Sequence, residues 1–220
     1  MPYGNKPRDT VRQCVFAGVE FLMRQDLDAL VVACNTATSV AIEDLRRAYA
    51  IPIIGMEPAV KPALLLAQQS GSRVLVLATD MTLRETKFLR LVDRIDDEAR
   101  VDHLSLQQLV TYAETEVFDP ERIGRYLEAA TAHLDLAAYG AVVLGCTHFP
   151  FYRAHLARLF APGTALVDGN RGTVTNLCKH LGPLPPSPAP GAVRFFESGA
   201  AASPERFQRL LERYRNASGS

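Results

Sequence analysis

Residues 30–37 read LVVACNTA and residues 141–150 read AVVLGCTHFP. In each, a run of small apolar residues meets a cysteine, a threonine follows within two positions, and a helix-forming stretch begins soon after. A run apolar on nearly every residue predicts a strand covered on both faces, as in a parallel sheet. Working outward, similar runs stand at 51–55, 73–78, 101–104, 164–167 and 192–197. Between them, stretches at 9–25, 38–49, 58–69, 82–92, 120–134, 150–160, 172–181 and 204–214 carry helical signals. Many open on proline or follow a Ser, Thr, Asp or Asn that can cap a helix. The alternation predicts an α/β fold with a largely parallel sheet. Residues 182–191 (GPLPPSPAPG) hold five prolines and read as a connector. Residues 69–72 (QSGS) read as a turn before a new strand, and 216–220 as a frayed polar tail.

The chain has 220 residues, 48% of them hydrophobic and 22% charged, which suits one or two packed domains. Twenty-four Lys and Arg balance twenty-four Asp and Glu. Without a basic surplus, neither nucleic acid nor an anionic membrane is an expected partner. The four cysteines (Cys14, Cys34, Cys146, Cys178) lack CxxC spacing, and no apolar run is long enough to span a bilayer. A cytoplasmic protein with reduced thiols is expected. Cys14 and Cys178 carry no motif and read as packing residues. Asp168 and Gly169, after the strand at 164–167, read as a turn or helix cap.

A lone cysteine at a strand end is ordinarily a small buried apolar residue. Two in matching contexts suggest more. The carboxyl ends of the strands are where open α/β sheets build their sites. A helix amino terminus nearby offers N–H groups and partial positive charge that favour thiolate over thiol. If two related α/β units face one another, Cys34 and Cys146 can reach one cleft from opposite sides. One thiolate then removes a proton from one face of a carbon while the opposed thiol delivers one to the other face, inverting a stereocentre.

Other chemistries fit less well. Cys146 and His148 are two positions apart, which is not the spacing of common zinc sites, so no metal is expected. Pyridoxal phosphate needs a placed lysine. Of four lysines only Lys61, in EPAVKPA, sits in a distinctive motif, and no phosphate-binding glycine loop accompanies it. GxGxxG is absent, so no dinucleotide is expected. No cofactor is required.

The segments PYGNKPRDT (2–10), VVACNTAT (31–38), GMEPAVKPA (55–63) and LGCTHFP (144–150) resemble the signatures of the glutamate racemases of the aspartate/glutamate racemase superfamily. The resemblance runs in order through nearly the whole chain. It implies a cofactor-independent isomerase that interconverts L- and D-glutamate and supplies D-glutamate for peptidoglycan. Cys34 and Cys146 match the family's two catalytic thiols, and His148 the group that assists the second. Glu114, within LVTYAE, falls where the family has an acidic residue near that thiol. Tyr3, Gly4, Asn35, Thr36, Thr147 and His148 match substrate-binding positions. The resemblance also implies two similar α/β domains facing each other across the active site. Residues 1–70 plus 168–220 would form the first and 71–167 the second, with the strand–helix pair at 192–214 returning to the first. Homodimers are common in the family.

The sequence departs from the family at its start. Family members carry an upstream strand ending in a DSGxGG-like motif, and no DSG occurs in the chain. The roles of that Asp and Ser are thus unassigned, and a chain truncated at its amino terminus, with an unpaired sheet edge, is expected. Two further readings stand beside the glutamate racemase. One is a non-catalytic glutamate-binding α/β remnant; the other is an aspartate racemase.

Overall fold

The computed structural model describes residues 2–68, 70–183 and 191–218. A 3-10 turn at Tyr3–Asn5 leads into α1 (Arg8–Met23), β1 (Leu30–Val32), α2 (Asn35–Ala48), β2 (Ile53–Gly55) and α3 (Val60–Gln68). Next come β3 (Arg73–Ala78), α4 (Asp80–Arg84), α5 (Thr86–Ile95), β4 (Val101–Ser105), α6 (Gln107–Glu114) and α7 (Pro120–Thr131). The chain continues through β5 (Tyr139–Leu144), a 3-10 turn at Phe149–Tyr152, α8 (Arg153–Ala157), β6 (Ala165–Asp168) and α9 (Asn170–Leu181). It closes with β7 (Phe196–Glu197), β8 (Ala200–Ala201) and α10 (Pro204–Ser218).

The predicted α/β class is what forms, as two parallel sheets. Among the described residues β1 and β2 pair only with each other, and four strands align in the order β4-β3-β5-β6. Val142, Val143 and Leu144 are buried because α3 covers one face of the larger sheet while α6, α7 and α8 cover the other. Around the smaller sheet, α1 and α2 pack Val11, Val15, Val40, Ile42 and Leu45 against Leu30 and Val32.

Several elements differ from expectation. The helix at 82–92 is broken at Glu85, whose ψ of 133° is extended, so α4 and α5 are separate. The helix at 150–160 is a tight 3-10 turn followed by the short α8. α6 was not foreseen: LQQLVTYAE opens without a capping side chain, and its apolar face is short. The strand expected at 192–197 shrinks to β7, an antiparallel two-residue pair with β8. Arg194 and Phe195 fall outside it. Phe196 meets Phe21 of α1 edge to face, at 5.1 Å, while α10 packs on the Phe149–Tyr152 turn and on α8. The tail expected from 216 is helical to Ser218. Most of the proline-rich connector, 184–190, lies outside the described residues, as does Gln69 of the expected turn. Cys14 is half-buried, whereas Cys178 is exposed on the last turn of α9 rather than packed.

Candidate active site

Both motif cysteines stand just past the carboxyl end of a parallel strand. Cys34 follows β1 and is the N-cap of α2, where its thiol accepts from the backbone N–H of Ala37 at 3.5 Å. Sulfur is a weaker capping acceptor than oxygen, but the position aims it at the free N–H groups of the first turn. Thr38 fixes the frame beneath it, donating to the Val32 carbonyl at 3.2 Å and accepting from the Met56 N–H at 3.0 Å. That ties the ends of β1 and β2 to α2. Cys146 follows β5 through Gly145, whose N–H reaches the Leu77 carbonyl at 2.7 Å. A β-carbon on Gly145 would lie 2.8 Å from that same carbonyl oxygen, so only glycine lets the chain pass this close to β3.

Beside Cys146 the structure places His148 and Glu114 in line. His148 Nδ1 is 3.6 Å from the Cys146 thiol, and its Nε2 is 3.0 Å from Glu114 Oε1. The carboxylate orients the ring and leaves the other nitrogen facing the sulfur. Hydrogen bonding to His148, opposed by partial burial, holds the Glu114 carboxyl below its ordinary range.

Burial pushes both thiols up rather than down, against the expectation from helix termini alone. For Cys34, burial outweighs the N–H groups of Ala37 and Thr36 and the Thr36 hydroxyl, all of which favour thiolate. Cys146, 7% exposed, is pushed up to about 12, chiefly by burial and further by Cys34 and Glu114; the His148 N–H opposes this. The 3-10 turn after Cys146 gives less help than a full helix. At both positions burial favours the protonated thiol.

The proposed substrate positions gather around them. Tyr3 and Gly4 lie on the first turn, half-buried, and burial chiefly raises the Tyr3 phenol, with Cys14 and then Cys34 adding to it. Asn35, 5% exposed, leaves its amide oxygen buried without a partner. Such an orphan acceptor is costly unless a ligand meets it. Thr147 is half-buried beside His148.

Three neighbours carry no motif and were missed. Thr36 Oγ1 lies 2.9 Å from Thr79 Oγ1 and 3.0 Å from Thr82 Oγ1, and those two are 2.9 Å apart. This buried triangle joins the start of α2 to the start of α4. Gln107, at the start of α6, has both amide atoms buried without partners and presses on Gly4, where a β-carbon would lie 2.0 Å from its Oε1. Threonine and glutamine in these places look like ordinary cap and helix residues, so only the fold reveals them. Thr79→Val should cost about 1–2 kcal/mol, because it removes both the α4 cap, Thr82 N–H to Thr79 Oγ1 at 3.2 Å, and one corner of the triangle. Thermal denaturation of Thr79→Val beside Thr79→Ser checks this; equal melting temperatures would contradict it.

Asp168 and Gly169 serve structure. Asp168 accepts from the Asn170 N–H at 3.0 Å, opening α9, and pairs with Arg153 at 2.5 Å. Among the described residues no three His, Cys, Asp or Glu group in a way that could hold a metal ion, and no helix is long and apolar enough to cross a membrane.

The Asp/Glu/Hydantoin racemase family matches residues 4–177. A glutamate racemase of Halothermothrix orenii is 45% identical over 217 residues, 97% of this chain and 83% of that protein. Glutamate racemase 2 of Bacillus subtilis is 46% identical over 200 residues, 90% of this chain and 76% of that one. Among solved structures, Escherichia coli glutamate racemase in complex with L-glutamate and the activator UDP-MurNAc-ala superposes with a TM-score of 0.78 at 29% identity, covering 97% of this chain and 81% of that one. The Campylobacter jejuni enzyme, at 22% identity and a TM-score of 0.76, supports the fold.

Proposed function

The chain belongs to the Asp/Glu/Hydantoin racemase family, and from that premise we propose that it racemises glutamate with Cys34 and Cys146 as opposed acid/base groups. The observation that carries the reading is the pair of thiols, each just past the carboxyl end of a parallel strand, with His148 and Glu114 in line beside Cys146, in a chain this similar to glutamate racemases. The product D-glutamate serves peptidoglycan synthesis, and the substrate is a free amino acid met in the cytoplasm. We divide the chain into a unit built on β1 and β2 with α1 and α2, and a unit built on the β4-β3-β5-β6 sheet, with which α3 and α10 also pack, and we place the site between them.

The entering amino acid supplies the cation that the buried thiols lack. Its ammonium favours one thiolate electrostatically. Asn35 Oδ1 can accept from that ammonium, and Thr36, Thr147 and the 3-10 turn around Tyr3 and Gly4 hold the carboxylates. The thiolate takes the α-proton from one face. The resulting carbanion is protonated on the opposite face by the other thiol, which becomes the next base. On the Cys146 side, His148 carries the proton between sulfur and solvent while Glu114 holds the ring.

Circular dichroism of L-glutamate, and separately of D-glutamate, should decay to zero with the purified chain. L-Aspartate should hold its signal over the same interval. Unchanged glutamate signals in both directions would sink the proposal, and faster decay of aspartate would reassign the substrate.

The raised thiols set the pH dependence. Below its raised value a thiol's ionised fraction grows about tenfold per pH unit, so kcat/KM should climb from neutral toward alkaline pH until the substrate ammonium titrates. A flat profile would contradict this. Folding favours the protonated Cys146, so its contribution to stability is full below the ordinary thiol value of 9.0 and fades as pH rises toward about 12.

A further inference from the structure

We propose that Arg206, on the closing helix α10, is a positioning residue for the Glu114–His148–Cys146 relay; this rests on the racemase reading above. α6 ends at Glu114, and the last carbonyls of a helix have no partner within it. The Glu114 carbonyl accepts from Arg206 Nη2 at 3.4 Å. The same guanidinium reaches Glu116 Oε1 through Nε at 3.3 Å and Glu197 Oε1 through Nη1 at 3.3 Å. One planar fork thus gathers the end of α6, the turn after it, and β7.

The turn needs holding. Glu116 has a φ of +52°, in the left-handed region that non-glycine residues avoid. Its carboxylate stays on the α10 side, between Arg206 and, at 3.9 Å, Arg209. α10 also braces the other partner of the relay. It packs on the Phe149–Tyr152 turn that directly follows His148, with Tyr214 edge to face against Phe151 at 6.3 Å and Arg213 over Phe118 at 4.0 Å. The Arg206 charge further favours the ionised Glu114. Arg206 touches neither Cys146 nor His148, so its effect on the reaction passes through where Glu114 stands. A lysine, a point charge without the fork, can satisfy only part of this arrangement.

The test uses the full chain with Arg206→Ala, Arg206→Lys and, as a control on the same helix, Arg215→Ala. Because the two enantiomers have equal free energy, any variant must lose kcat/KM equally in both directions. Arg206→Ala should lose on the order of tenfold, Arg206→Lys less, and Arg215→Ala nothing. The discriminating readout is the α-deuterium isotope effect on each enantiomer. When proton transfer at Cys146 becomes the slower step, the isotope effect should rise for the enantiomer whose α-hydrogen faces Cys146 and fall for its mirror image. A merely structural role lowers the fraction of active protein and moves neither. Unaltered rates in Arg206→Ala, or a loss with both isotope effects unmoved, would overturn the proposal. Should Arg206→Ala fail to fold, the charge-retaining Arg206→Lys must still show the opposed changes. An unsubstituted chain inert toward glutamate would instead remove the racemase reading, and this inference with it.

Discussion

Cys34→Ala and Cys146→Ala are each expected to abolish turnover of both glutamate enantiomers, with losses on the order of 10³-fold or more. Racemisation needs a proton removed from one face of the α-carbon and another delivered to the opposite face, so deleting either thiol stops both directions. Substrate binding should survive, because Asn35, Thr36 and Thr147 remain. Polarimetric rates alongside ligand-dependent melting check this. Either alanine variant turning over within a few-fold of the unsubstituted chain would contradict the assignment of that thiol.

Phe149→Ala should cost about 3–5 kcal/mol of stability, a large share of the roughly 5–15 kcal/mol available to a folded domain. Phe149 is 0% exposed in the core that includes Leu75, Leu144, Tyr152 and Leu156, and it directly follows His148. Removing the ring leaves a cavity under the turn that presents the relay. Denaturant titration should show the loss, and the melting temperature should fall about 2–4 °C for each kcal/mol. A cost below about 1 kcal/mol would mean the turn does not depend on this core.

The parallel sheets were legible because their strands are buried on both faces. Ile53, Ile54 and Val74 to Ala78 leave almost no polar position to confuse the reading. Cys34 and Cys146 were legible for the same reason, since each interrupts such a run at its carboxyl end. Elements whose form depends on tertiary context were not. The break at Glu85 has no proline or glycine to mark it, and α6 lacks a cap. Among the described residues, the strand expected at 192–197 pairs only over two residues, with β8. Thr79, Thr82 and Gln107 escaped for a related reason: their part in the site comes from the approach of α4 and α6 to α2 and the Tyr3–Asn5 turn. Nor could local sequence weigh helix N–H groups against desolvation at the two thiols, because burial is a property of the assembled core.

In the proposed mechanism two different thiols handle the two faces of the α-carbon. The most direct measurement follows L-glutamate in heavy water through the first few per cent of conversion, by NMR after separating the enantiomers. Two opposed thiols predict D-glutamate carrying deuterium at the α-carbon while the remaining L-glutamate keeps its hydrogen. D-Glutamate that retains the substrate's own α-hydrogen would point to a single base serving both faces and contradict the account.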